Sequence, residues 1–127
     1  DDVAQIGPVA MAEKRGPRLL AAGATPHMIR RVIETMGAVR PDGYAQAARM
    51  LSTGDIAADI RRLSADMPVQ VIVGDADVIT PPERNRNIAA LRPGTPVHVI
   101  PAAGHALYLE KPMAFNRLIE SFIAGTN

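Results

Sequence analysis

The chain has no cysteine and few aromatic residues, and both shortages narrow the kinds of protein it can be. Without cysteine, neither a disulfide nor a thiolate metal site can form, which suits a reducing compartment, so we expect a cytoplasmic location. Aromatic residues make up 3% of the sequence, which disfavours a surface that stacks nucleic-acid bases. A hydrophobic core must therefore be built from Ile, Leu, Val, Met and Ala.

An excess of one charge and a long apolar run are also missing. Fourteen Lys and Arg balance thirteen Asp and Glu, for a net charge of +1, so neither nucleic acid nor an anionic membrane is an expected partner. The apolar runs, such as the one around Val71 to Val73, are all far shorter than the roughly 20 residues that cross a bilayer. The first residues show no initiator methionine, basic region or apolar signal core, which is typical of a trimmed chain or a fragment.

The first half of the chain carries only helical signals. Thr25 and Pro26 are typical of a helix start, and Gly37 of a helix end, with apolar residues between them at helical spacing. Gly16 and Pro17 predict a break in the helix before it. The pattern predicts helices over residues 9–22, 26–36, 41–51 and 56–63, the last capped by Asp55.

After residue 67 the pattern changes to strands alternating with helices. The sequence predicts strands over 69–73 and 97–100 and helices over 80–91 and 112–124. This order is typical of a βαβ unit with a parallel sheet. Because parallel sheets average about five or six strands and are covered on both faces, we expect the remaining strands to lie outside this sequence.

Two loops with chemically active side chains follow the predicted strands. The first contains Asp75 and Asp77, and the second ends in His105. Ligands of open α/β sheets bind beyond the carboxyl ends of the strands, so an aspartate and the histidine should meet there. An acid that orients an imidazole forms two parts of an acid-base triad, and the order of acid before histidine is that of nucleophile-elbow hydrolases.

The segments that contain these residues resemble the α/β-hydrolase family. "MPVQVIVGDADVITPPE" and "VHVIPAAGHALYLEKPMAFNRLIESFI" are similar to the family's acid-bearing and histidine-bearing segments. The helical half is similar to the family's cap, and "GYAQAARMLSTGDI" is loosely similar to the lids of aromatic-degradation hydrolases and of bacterial lactonases such as 3-oxoadipate enol-lactonase. We therefore expect an incomplete α/β fold, with a helical cap over 1–66 and the carboxy-terminal part of the hydrolase core over 67–127.

The resemblance assigns roles to particular residues. It implies that Asp77 is the triad acid, that His105 is the base, and that Asp75 is a turn residue. It also implies a hydrolase that acts on an ester, lactone or C–C bond of a small organic substrate, with no cofactor. Thr80 and Glu83 are spaced as a capping box for the following helix.

The family's nucleophile is missing from this sequence. No Gly-x-Ser-x-Gly occurs, and the three serines, Ser52, Ser64 and Ser121, lie in or beside predicted helices. The expected partner is therefore an amino-terminal hydrolase segment that carries this motif, on a separate chain or lost. Two alternatives stay open: a noncatalytic fragment or interaction subunit, and a cofactor-free oxygenase or perhydrolase of the same fold.

Other polar and sulfur-containing residues have weaker claims to a function. We expect His27 to be exposed because it opens a helix, and His98 to be a packed or surface residue because it alternates with Val97 and Val99 in a strand. No two histidines have metal-ligand spacing, so no metal site is expected. Two further groups are each consistent with a substrate pocket or with a structural role: Met28, Met36, Met50 and Met67 as pocket or core residues, and Arg49, Arg61 and Arg62 as carboxylate ligands or solvated charges.

Overall fold

The structure is a computed structural model that describes residues 2–125. Helices fill its first half, and a βαβ unit with two further helices fills the second. In chain order the elements are α1 Asp2–Arg15, a 3₁₀ turn Gly16–Leu19, α2 Pro26–Gly37, α3 Pro41–Thr53, α4 Ile56–Arg62, β1 Val71–Gly74, α5 Pro82–Ala90, β2 Val97–Ile100, α6 Leu107–Glu110 and α7 Pro112–Gly125. No helix in this described range is long and apolar enough to cross a membrane.

The predicted helix starts depend on side-chain caps, and two of these are confirmed. The Thr25 hydroxyl accepts a hydrogen bond from the Met28 amide at the start of α2. Asp55 accepts one from the Ala58 amide at 3.0 Å, which starts α4. Each cap satisfies an amide that has no partner within its own helix. The starting points of these two helices are therefore encoded by nearby residues in the sequence.

The first helix differs from its prediction. It begins at Asp2 rather than near residue 9, and it is kinked at Gly7, whose φ of 80° lies in the left-handed region that favours glycine. Pro8 follows and has no amide to donate. The predicted break at Gly16 is confirmed, because the α-helix ends at Arg15 and the 3₁₀ turn begins there.

The two strands pair in parallel, as predicted. Val71 lies opposite Val97 and Gly74 opposite Ile100, so both strands end at the same edge of the sheet. Within the described residues the sheet has only these two strands. This register brings the loop after β1 and the loop after β2 side by side.

Two apolar clusters connect the halves of the chain to these loops. One contains Leu20 and Val32 from the helical half together with Ala106. The other contains Ile100, Ala103 and Leu107, and Phe115 of α7 packs against it. Because Ala103, Ala106 and Leu107 surround His105 in sequence, packing on both sides restricts the backbone that carries the imidazole.

Arg92 binds the backbone of the segment between α4 and β1. Its guanidinium donates hydrogen bonds to the carbonyl groups of Leu63, Ser64, Ala65 and Met67. A planar group with five donors can satisfy several carbonyls of one turn. Arg92 therefore fixes the chain immediately before the strand that leads to Asp77.

Candidate active site

Asp77 is a buried carboxylate just beyond the end of β1. It is 4% exposed, while Asp75 on the same loop is exposed. One carboxylate oxygen of Asp77 accepts the amides of Ile79 and Thr80 at 2.8 and 2.9 Å. The other accepts the Thr80 hydroxyl at 2.9 Å and lies 2.9 Å from Nδ1 of His105. Buried polar groups are stable when paired in this way.

These contacts decide the charge of Asp77. Burial by itself disfavours the carboxylate, but hydrogen bonds from the Thr80 amide, from His105, from the Ile79 amide and from the Thr80 hydroxyl outweigh it. The pKa of Asp77 is consequently held below its usual value. Asp77 is therefore an anion at neutral pH, although almost none of its surface meets solvent.

The charge of Asp77 in turn sets the tautomer of His105. An ionised carboxylate only accepts hydrogen bonds, so Nδ1 must carry the proton that points at Asp77. The His105 side chain is 40% exposed, and no group among the described residues forms a hydrogen bond with Nε2. In the neutral imidazole Nε2 is therefore a hydrogen-bond acceptor without a partner among the described residues, which is the arrangement that a general base requires.

Thr80 belongs to this pair and not to a helix cap. The predicted capping box of Thr80 and Glu83 is wrong, since α5 begins at Pro82 with Pro81 as its N-cap and no side chain caps it. The Thr80 hydroxyl instead donates to Asp77 and lies 3.2 Å from Nδ1 of His105. An Asp that accepts amides two and three residues later is typical of an Asx-type turn, and this signal could have placed Thr80 beside the carboxylate.

The loop that carries His105 is tightly constrained. Ala102 has a φ of 51°, a left-handed conformation that costs a non-glycine residue about 1 kcal/mol. Gly104 follows in a space with no room for a side chain, because a Cβ there would lie 2.7 Å from the Leu20 carbonyl carbon. The Ala106 amide donates to the Leu19 carbonyl at 2.8 Å. His105 is therefore held between two residues that contact the helical half.

His105 opens onto a cleft of about 850 Å³ beneath the helical half. Its walls come from α1, the 3₁₀ turn, α2, α3 and both strand-end loops, and they are formed by Lys14, Arg15, Arg18, Leu19, Met36, Tyr44, Leu51, Ile79 and His105. No serine is among these residues. Of the four methionines considered from the sequence only Met36 lines the cleft, and Arg49, Arg61 and Arg62 do not line it.

Comparison with solved structures identifies the fold. The chain matches a thermophilic esterase from Thermogutta terrifontis with a TM-score of 0.85 at 30% identity, over 98% of this chain and 46% of that one. It matches the enol-lactonase from Burkholderia xenovorans LB400 with a TM-score of 0.86 at 21% identity, over 97% and 47%. A bromoperoxidase from Bacillus anthracis gives 0.81 at 19%, over 97% and 46%. The chain is part of an α/β-hydrolase fold.

The partial coverage of the solved structures agrees with the small number of strands in the described sheet. The chain spans about half the length of the solved structures that it matches. No protein-family model and no curated relative matches the sequence. The predicted α/β class and the resemblance to α/β hydrolases are confirmed, and this α/β-hydrolase portion has the two strands and flanking helices described above.

Glu110 is a residue of this α/β-hydrolase portion that sequence reasoning missed. One of its carboxylate oxygens accepts the Ala21 amide at 2.8 Å, and the other accepts the Gly104 amide at 2.7 Å. The carboxylate thus joins the helical half to the residue before His105. The contact with Ala21 has no local signal in the sequence, because the two residues lie 89 positions apart along the chain.

Glu110→Gln is expected to lower the free energy of unfolding by about 1–2 kcal/mol, because an amide donor would face one of the two backbone amides. Urea denaturation of the complete protein measures the change. Glu120→Gln on the exposed face of α7 is the matched control and should change stability by less than about 0.5 kcal/mol. Equal effects of the two substitutions would contradict the role of Glu110.

The other two histidines lie elsewhere. His27 is exposed on α2, as expected. His98 on β2 lines a separate, largely apolar groove with Leu118, Ser121 and Phe122 of α7. Across residues 2–125 no group of three His, Asp or Glu side chains is placed to hold a metal ion.

Proposed function

We propose that this chain supplies the acid and the base of a Ser-His-Asp triad in a hydrolase that cleaves an ester, lactone or C–C bond of a small organic substrate. The observation that carries the proposal is the 2.9 Å contact between the buried Asp77 carboxylate and Nδ1 of His105. The half-exposed imidazole at the cleft supports it. An acid, a base and an adjoining cavity are the features expected of such a site.

In the proposed mechanism Nε2 of His105 acts as the general base. It removes the proton from a serine hydroxyl as the serine oxygen attacks the substrate carbonyl, and Asp77 stabilises the resulting imidazolium. His105 then returns the proton to the leaving group. In the second step it activates water, which releases the acyl group from the serine.

Thr80 is the hydroxyl nearest to this pair, and its position is unsuitable for a nucleophile. Its oxygen contacts Nδ1 of His105 and the Asp77 carboxylate, whereas a nucleophile must be hydrogen-bonded to Nε2. We therefore propose that the serine and the oxyanion hole come from an amino-terminal segment that carries Gly-x-Ser-x-Gly, either in the same polypeptide or on a separate chain. The match to about half of each solved structure supports this.

The division of labour within the chain follows from the walls of the cleft. We propose that residues 1–66 form a cap and that residues 67–127 form part of the core. Met36, Tyr44 and Leu51 come from the helical half, and His105 comes from the second half. In this arrangement the cap shapes the pocket while the core supplies the proton-transfer groups.

A serine-reactive fluorophosphonate probe tests the proposed function. The complete polypeptide or complex that contains this chain should gain one probe adduct in an intact-mass spectrum and should hydrolyse p-nitrophenyl esters. His105→Ala should abolish both, because the serine would lose its base. A complete protein that is neither labelled nor active would refute the proposal and would favour a noncatalytic chain.

Thr80→Val should lower kcat by about tenfold and leave KM nearly unchanged, because the hydroxyl orients Asp77 and His105 without touching substrate. Loss of this donor should also raise the pKa of Asp77. Carbon-13 NMR of the Asp77 carboxyl group in the complete protein would show the shift. Thr80→Ser, which keeps the hydroxyl, should restore both properties, and an equal loss in Thr80→Ser would mean that the methyl group matters instead.

The lowered pKa of Asp77 also predicts how the stability of Thr80→Val depends on pH. A carboxylate with a depressed folded-state pKa stabilises the protein above its unfolded value of about 4 and loses that contribution as the pH falls through the folded-state value. Because the unfolded-state pKa is the same in both proteins, the loss in Thr80→Val should be smaller than in the parent and should be complete at a higher pH. Thermal denaturation between about pH 2 and pH 6 would measure the displacement.

A further inference from the structure

The cleft beside His105 has an uneven distribution of charge. Three basic residues, Lys14, Arg15 and Arg18, line it, and no Asp or Glu is among its lining residues. The remainder of its wall is largely apolar, with Leu19, Met36, Leu51 and Ile79, apart from the Tyr44 phenol and His105 itself. A cavity lined by both cationic and apolar side chains is complementary to an organic anion.

Arg18 is the basic residue whose position is best defined relative to the base. Its neighbour Leu19 accepts a hydrogen bond at 2.8 Å from the amide of Ala106, the residue after His105. This contact places the backbone of Arg18 next to the histidine loop. Arg18 and His105 therefore line one cavity from two segments that are hydrogen-bonded to each other.

The side chain of Arg18 is also available to a ligand. It is exposed, and it forms no hydrogen bond or ion pair with any of the described residues. Lys14 and Arg15, in contrast, already take part in interactions within the chain. They can add positive potential to the cleft, whereas the guanidinium of Arg18 is free to bind a carboxylate through two parallel hydrogen bonds.

We propose that the substrate of this site carries a carboxylate that Arg18 binds, with an apolar body against Leu19, Met36 and Ile79 and its reacting carbonyl at His105. The proposal rests on the proposed hydrolase function for the reacting carbonyl. It extends that function by assigning a charge to the substrate and a residue that recognises it. Arg18 would bind the unreactive end of the substrate, so it determines specificity and takes no part in proton transfer.

Binding of two small probes separates recognition from catalysis. Phenylacetate and phenylacetamide have the same ring and differ in charge. The complete protein should bind phenylacetate about tenfold more tightly, as measured by NMR titration, because a charge-assisted contact to Arg18 is available only to the anion. Arg18→Gln should reduce this preference to less than about twofold. Arg31→Gln removes an exposed charge on α2. This control variant should leave the preference for phenylacetate unchanged.

A pair of esters connects the preference to turnover. The complete protein should hydrolyse mono-p-nitrophenyl glutarate with a kcat/KM about tenfold above that for p-nitrophenyl acetate, and Arg18→Gln should lose that ratio mainly through KM. Hydrolysis of both esters with equal efficiency, together with equal binding of both probes, would overturn the carboxylate proposal and leave the hydrolase proposal standing. Selective, Arg18-dependent binding of phenylacetate by a protein that hydrolyses neither ester would support the carboxylate proposal and overturn the hydrolase proposal.

Discussion

Replacing His105 by alanine, or Asp77 by asparagine, is expected to lower kcat of the complete enzyme by about 10³-fold or more. Without His105 the serine has no group that accepts its proton. Asparagine at position 77 can donate a hydrogen bond from its amide, which favours the tautomer with the proton on Nε2, the nitrogen that must accept the serine proton. The result is measured as steady-state hydrolysis of a p-nitrophenyl ester.

Asp75→Asn is the matched control for this prediction. Asp75 lies two residues away on the same loop, is exposed, and makes one long contact of 3.4 Å with the Ala103 amide. An asparagine oxygen can still accept that amide, so turnover should stay within about threefold of the parent. Near-normal turnover in Asp77→Asn combined with loss in Asp75→Asn would show that the other carboxylate orients the histidine.

Gly74→Ala is expected to destabilise the protein by about 3 kcal/mol or more. Gly74 is buried at the end of β1, where a Cβ would lie 2.1 Å from the Ala103 carbonyl oxygen and 2.5 Å from that of Gly104. Both are backbone atoms and cannot rotate away, so the loop that carries His105 would have to move. Urea denaturation and ester hydrolysis of the complete protein should both report the damage.

Gly43→Ala is the control for the glycine prediction. A Cβ at Gly43 meets nothing within 4 Å, and the residue lies inside helix α3. Alanine is a better helix former than glycine by about 0.8–1.0 kcal/mol, so this variant should be more stable than the parent. If Gly74→Ala were as stable as Gly43→Ala, the close approach of the two strand-end loops would be refuted.

The sequence alone determined most of the secondary structure because the signals for it are local. Thr25 and Asp55 cap the helices that follow them, and they lie three residues from the amides they bind. The β-branched runs that became β1 and β2 could be read without knowing what covers them. Asp77 and His105 each follow a predicted strand. The sequence therefore also predicted that they lie at the same edge of the sheet, because parallel strands end at the same edge.

Tertiary structure alone decided how that pair is held and what adjoins it. Thr80 has the spacing of a capping residue with Glu83 and also that of an Asx-type turn with Asp77, and burial of the carboxylate decides between the two because an unpaired anion there would be costly. Glu110 binds an amide 89 residues away, and Arg18 reaches the histidine loop through its neighbour Leu19. Contacts between residues so distant in sequence leave no local pattern, so only the folded chain shows which side chains share the cleft.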